Sequence, residues 1–161
     1  MPEHIILPFK GFDTSEFVVS AELLNDAYIF GQLKYGASGG ESTEIKCWVM
    51  VDENKTIVGF INLELSEEDL KERVNAYVSV EFVYLGDSLR NKQNGQLFRV
   101  FVIEKINKWL DDILTDYDNS IVTLYPASID ISDGGRSFLS KLNIMLGEVA
   151  ATRGIKILAD C

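Results

Sequence analysis

Residues 76–85 read Ala76-Tyr77-Val78-Ser79-Val80-Glu81-Phe82-Val83-Tyr84-Leu85, and residues 90–95 read Arg90-Asn91-Lys92-Gln93-Asn94-Gly95. The first run is rich in β-branched and aromatic residues and predicts a strand; the second is a polar turn. After Gly95, Leu97, Phe98, Phe101, Val102, Ile106, Trp109, Leu110 and Ile113 recur at helical spacing, with Arg99, Lys105, Asn107, Lys108 and Asp111 opposite. A strand that feeds a donor-rich turn at a helix N-terminus makes an anion site, because the first helical N–H groups lack internal partners and the helix dipole is positive there. Alternation along the strand puts Val78, Val80, Phe82 and Tyr84 on one face and Tyr77, Ser79, Glu81 and Val83 on the other.

Upstream lies a hairpin pattern: Cys47-Trp48-Val49-Met50-Val51, the turn Asp52-Glu53-Asn54-Lys55, then an apolar run from Thr56 to Leu63. The charged stretch 67–73 reads as a solvated loop or short helix between this hairpin and the strand at 76–85. Nearer the start, residues 4–10 form a short strand ended by a turn at 11–14. One or two helices then begin at a cap on Asp13 or Thr14, and 36–40 is a glycine-rich connection. Downstream, 120–125 is a strand stopped by Pro126, and strand, helix and strand in that order imply a parallel pair. Ser132 or Asp133 caps a last long helix closed by Arg153 and Gly154, with a strand at 155–159; the alternative makes 144–149 a strand, and the capping signals favour the helix.

With 15 basic and 25 acidic residues the chain carries a formal charge of −10, which disfavours general attraction to nucleic acid or anionic membranes. The same field leans toward cationic partners, although acidity also serves solubility. The 161 residues are 47% hydrophobic and 25% charged, which fits one folded domain over 1–161. Two cysteines, Cys47 and Cys161, give no disulfide framework and no zinc spacing, so a reducing, cytoplasmic setting is expected. His4 is the sole histidine, which leaves proton transfer to carboxylates, Tyr, Lys or water and implies no metal site. Neither cysteine nor Ser79 has an adjacent base, so covalent catalysis through one of them is not indicated.

Hairpin, third antiparallel strand, phosphate-type turn into a helix, parallel strand, and final helix and strand: this order resembles the GCN5-related N-acetyltransferases. The resemblance runs from Cys47 onward and more loosely before it. Members carry an acetyl-CoA signature of Arg or Gln, two residues, Gly, one residue, then Gly or Ala. Residues 90–95 stand in that place, with Gln93 at the first glycine. The resemblance implies an α/β fold with a central twisted mixed sheet, antiparallel strands first, a parallel pair in the middle and helices on both faces. It implies an acetyl-CoA-dependent N-acyltransferase working by direct transfer to an amine; a non-catalytic binding or regulatory protein on the same fold is the alternative.

By the same resemblance, the backbone N–H groups of Asn91, Lys92, Gln93, Asn94, Gly95 and Gln96 receive the pyrophosphate, with charge from Arg90 and Lys92. The Gln93 side chain either projects outward or narrows that site. Backbone groups near Val83 and Leu85 take the pantetheine arm, and Glu81 is the candidate base, directly or through water. Many members supply a tyrosine as thiolate acid from the last helix; here that position falls on Leu139 or Ala150, and Tyr84 and Tyr125 are candidates in its stead. The expected partner is an amine-bearing, cationic-leaning acceptor, with no nucleic acid and no membrane; a homodimer is compatible with it.

Overall fold

The computed structural model describes residues 4–10, 17–39, 45–86, 92–118, 120–128 and 133–158; for 92–94, 128 and 133–137 it describes the backbone alone. The elements in chain order are β1 (Ile5–Pro8), β2 (Val18–Val19), α1 (Ala21–Leu24), α2 (Ala27–Ala37), β3 (Ile45–Val51), β4 (Thr56–Asp69), β5 (Arg73–Leu85), α3 (Lys92–Asp116), β6 (Ile121–Ser128), α4 (Asp133–Arg153) and β7 (Lys156–Ile157). They form one mixed sheet in the order β1-β3-β4-β5-β6-β7, with β2 parallel to the start of β4. The pairs from β1 to β5 are antiparallel, and β5–β6 and β6–β7 are parallel. The mixed sheet and its parallel pair agree with the sequence expectation.

Several boundaries differ from that expectation. The charged stretch 67–73 is neither loop nor helix: Glu67, Glu68 and Asp69 extend β4, and Arg73 already begins β5. Lys71, with φ at 76°, turns the chain, and Leu70 N–H donates to the Arg73 carbonyl at 2.8 Å. Cross-strand pairing holds the acidic residues in place. Glu68 Oε1 accepts from Asn75 Nδ2 and from the Tyr77 hydroxyl. Nor does Pro126 stop β6, which runs on to Ser128. The Leu124 carbonyl accepts from Leu158 on the β7 side, so the missing N–H of Pro126, two residues on, faces the same side beyond the end of β7 and breaks no ladder bond.

Near the start there are two helices, capped by Ser20 and Asp26; Asp26 Oδ1 accepts from the amides of Tyr28 and Ile29. The turn at 11–14 with its caps, and Ser132, lie outside the described residues. Phe17 precedes β2 and is not helical, while Gly36 and Ala37 close α2. Residues 144–149 are helical, and Gly154, with φ at 66°, follows α4. The final strand is shorter than 155–159.

Two apolar layers sandwich the sheet. One packs Phe98, Val102, Ile106 and Leu110 of α3 and Phe138, Leu142 and Leu146 of α4 onto Val74, Ala76, Val78 and Val80. The other packs Leu23 and Leu33 of the first two helices onto Val49, Ile57, Phe60, Phe82 and Tyr84. Phe82 and Tyr84 therefore lie on the opposite face from Val78 and Val80, which overturns the simple alternation along this strand. The cause is in the register: Asn62 pairs with Phe82 but Leu63 with Val80, so Glu81 is an extra residue, a β-bulge. One inserted residue exchanges the faces of everything after it.

Candidate active site

The bulge sits where the sheet opens. Parallel pairing of β5 and β6 runs from Arg73 opposite Ile121 to Val80 opposite Ser128. Beyond it, β5 continues through 81–85, and among the described residues no strand pairs with that edge. Gly86 N–H donates to the Val58 carbonyl, so the alternate residues Tyr84 and Phe82 turn their backbone groups toward β4. Val83 and Leu85 hence present theirs to the open side. Both side chains are half-buried against the α3 layer.

Glu81 shares its face with Ser79, Glu64 and Asn62, the face on which Asn62 Nδ2 donates to the Gln32 carbonyl of α2 at 2.8 Å. Partial burial raises the Glu81 pKa first, the neighbouring Glu64 carboxylate and a carboxyl hydrogen bond with it raise it further, and a hydrogen bond with Ser79 opposes them. Burial and the Glu64 carboxylate thus both hold the Glu81 carboxyl above its ordinary range.

Tyr84 lies in the opened section, buried, and its hydroxyl donates to Glu22 Oε1 of α1 at 2.7 Å. Tyr125 does not: it pairs with Tyr77 inside the closed part of the ladder and stacks on that ring at 5.2 Å. Leu139 and Ala150 of α4 are buried in the core. Leu139, Leu142 and Asn143 of α4 join Val78, Val80 and Pro126 around a cavity of about 20 Å³ at the fork of the two strands.

Helix α3 starts at Lys92, four residues earlier than a turn over 90–95 implies, so Lys92, Gln93, Asn94 and Gly95 form its first turn. The amides of 92–94 belong to the unpaired set, whereas that of Gln96 is already inside the i→i−4 ladder, which narrows the donor set. Gln93 is helical; the described left-handed positions are Lys55, Lys71, Gly39 and Gly154. A glycine is not needed at 93 for its φ. Arg90 and Asn91 lie outside the described residues.

The sequence reading placed Arg99 on the solvent face. In the structure it is 5% exposed, with its guanidinium over the Phe138 ring. Amphipathic spacing missed it because Arg99 borders the stripe on the side where α4 packs. Cys47 is buried in β3, and burial pushes its thiol up to about 12, which removes it as a nucleophile. Among the described residues no group of three or more His, Cys, Asp or Glu is placed to hold a metal ion, and no helix is long and apolar enough to cross a membrane.

No protein-family model and no curated protein matches the sequence. Solved structures do match. AtaT complexed with acetyl-methionyl-tRNAfMet is similar at a TM-score of 0.54 and 10% identity, over 87% of this chain and 85% of that one. A KacTA–DNA complex gives 0.54 at 12% identity, over 87% and 83%. A mutant of the toxin AtaT bound to the C-terminus of the antitoxin AtaR and acetyl-CoA gives 0.52 at 10% identity, over 88% and 83%. These are proteins of the GCN5-related N-acetyltransferase fold, and this chain has that fold.

Proposed function

We propose that this protein is an acetyl-CoA-dependent N-acyltransferase that moves an acetyl group directly onto an amine. The observation that supports it is the opened, bulged edge of β5 at 81–85 beside the first turn of α3. The outward backbone of Val83 fits the amide-bearing arm of the donor, and the unpaired amides of α3 fit its diphosphate. Acetyl-CoA, when bound, supplies an activated acyl carbon; the chain's part is to orient that carbon and to handle protons. An acceptor ammonium must lose a proton before it can attack, and Glu81 takes that proton, directly or through water. An outward N–H of β5 polarises the carbonyl. A thiolate is a tolerable leaving group, so the step does not require a phenol, and Tyr84 is the one phenol candidate in the opened section.

The acceptor is an amine. The net charge favours a cationic one. The fold itself does not disfavour nucleic acid, since two similar structures contain tRNA or DNA; only the charge does. One observation favours a second reading, a non-catalytic binding protein on this fold: Leu139 and Ala150, the α4 positions where the resemblance implies a tyrosine acid, are buried aliphatic residues.

A thiol-release assay with acetyl-CoA over polyamines, aminoglycosides, amino-acid α-amines and basic peptides separates the two. Release of CoA that depends on one amine class is the expected result. Binding of acetyl-CoA without release over the whole panel would favour the binding protein.

A further inference from the structure

Arg99 is the least explained charge in the described molecule. Its side chain turns back along α3, so that Nη1 lies 3.1 Å from where a Cβ on Gly95 would stand, beside the helix's first turn. Nη2 donates to Gln96 Oε1 at 3.2 Å, and the guanidinium carbon lies 5.5 Å from the Phe138 ring centre. Nε is buried with no acceptor. Among the described residues no carboxylate pairs with Arg99, although Arg153 of α4 has one in Asp111 at 2.7 Å. Burial depresses the Arg99 pKa, yet a guanidinium stays charged.

A desolvated cation without a counter-charge destabilises a fold, and an apolar residue of similar volume would suit this layer better. Its planar fork, in contrast, matches a phosphate group in two-pronged geometry. The Arg99 guanidinium lies beside Gly95, in the same first turn of α3 whose amides at 92–94 are unpaired. In a molecule of charge −10 an anion site needs such a local cation.

We propose that Arg99 is the cationic ligand of a phosphate-bearing molecule held at the N-terminal end of α3, the group it takes being the diphosphate of the acyl donor. That the diphosphate belongs to acetyl-CoA rests on the function proposed above; that an anion is held there does not. A side chain at Gly95 would press on the guanidinium, which would have to give by a few tenths of an ångström.

The test titrates inorganic pyrophosphate, CoA and pantetheine into the full chain as wild type, R99M and R99K, with thermal unfolding of each variant without ligand. R99M is expected to bind pyrophosphate and CoA about 10- to 100-fold more weakly, the range for hydrogen bonds to a charged group. Pantetheine, which lacks the diphosphate, should bind R99M and wild type alike, and the R99M melting temperature should hold or rise. R99K keeps the charge without the fork and should fall between the two. Equal affinity of all three proteins for pyrophosphate and CoA would overturn the proposal, as would R99M that melts lower while binding normally, the mark of a packing residue. If wild type binds pyrophosphate through Arg99 but neither CoA nor acetyl-CoA, the anion site stands and the acyltransferase reading fails. If CoA binds wild type and R99M equally, the reverse holds.

Discussion

If Glu81 is the base proposed above, Glu81→Gln is expected to lower kcat/KM for acetyl transfer by about 10²–10⁴-fold, the usual contribution of a general base, while acetyl-CoA affinity stays as in wild type. The amide fills the space of the carboxylate but cannot take a proton. The bulge gives this residue its place: the extra residue opposite Asn62 and Leu63 leaves Glu81 beside Ser79 and Glu64 where β5 parts from β6. Because its pKa is raised, the acid limb of kcat/KM should lie above the ordinary carboxylate range, with activity climbing as pH rises through it. Glu64→Gln removes one of the causes and should move that limb to lower pH; burial, the first cause, remains. The stability consequence has the opposite sense. A raised folded pKa contributes stability that is fully present below the ordinary carboxylate value and is lost as pH rises through the folded value. Glu64→Gln should therefore unfold at a higher temperature than wild type at neutral pH. An E81Q protein within threefold of wild type would remove Glu81 from the proposed chemistry.

Gly36→Ala should be strongly destabilising. A Cβ there would overlap the amide of Asn62, the buried β4 side chain that donates to the Gln32 carbonyl one turn earlier in α2. Asn62 is fully buried and its Oδ1 has no partner, so it cannot swing to solvent, and α2 must lift off the sheet instead. Overpacking of this kind costs about 1–3 kcal/mol and sometimes more. For a chain of this size each kcal/mol lowers the melting temperature by about 2–4 °C. α2 lies on the Glu81 face, so catalysis should suffer with stability. Asn62→Ala in the same chain removes the obstacle, and G36A/N62A should melt higher than the sum of the single effects allows. Strict additivity in calorimetry would show that the two positions do not meet.

The order of elements was legible because the relevant patterns are local. The Asp52 turn is one case: its Oδ1 accepts from the amides of Asn54 and Thr56. The long stripe of α3 is another. What stayed hidden depends on pairing. The bulge at Glu81 adds no unusual residue, so periodicity carried the same face through Phe82 and Tyr84, although they pack under α1 and α2 while Val78 and Val80 pack under α3 and α4. Charge misled the reading twice. Glu67, Glu68 and Asp69 looked like solvent-loop residues but extend β4, and Arg99 looked like a solvent-face residue but is buried against Phe138. Of the proposed site, the sequence named Glu81 and Val83 on the strand and a turn at 90–95, of which 92–95 belong to α3. It could not show that Gln93 is helical, nor that Tyr125 lies in the closed ladder while Tyr84 lies in the opening.

The central claim is that the donor lies along the opened edge of β5 with its diphosphate on α3. A ¹H–¹⁵N titration of the full chain with acetyl-CoA tests it most directly. The amides of Val83, Leu85, Lys92, Gln93 and Asn94 should shift together along one saturating curve, with those of β1 at the far edge unchanged. No shift at about millimolar acetyl-CoA, where even weak complexes form, or shifts that leave these five amides in place, would contradict it.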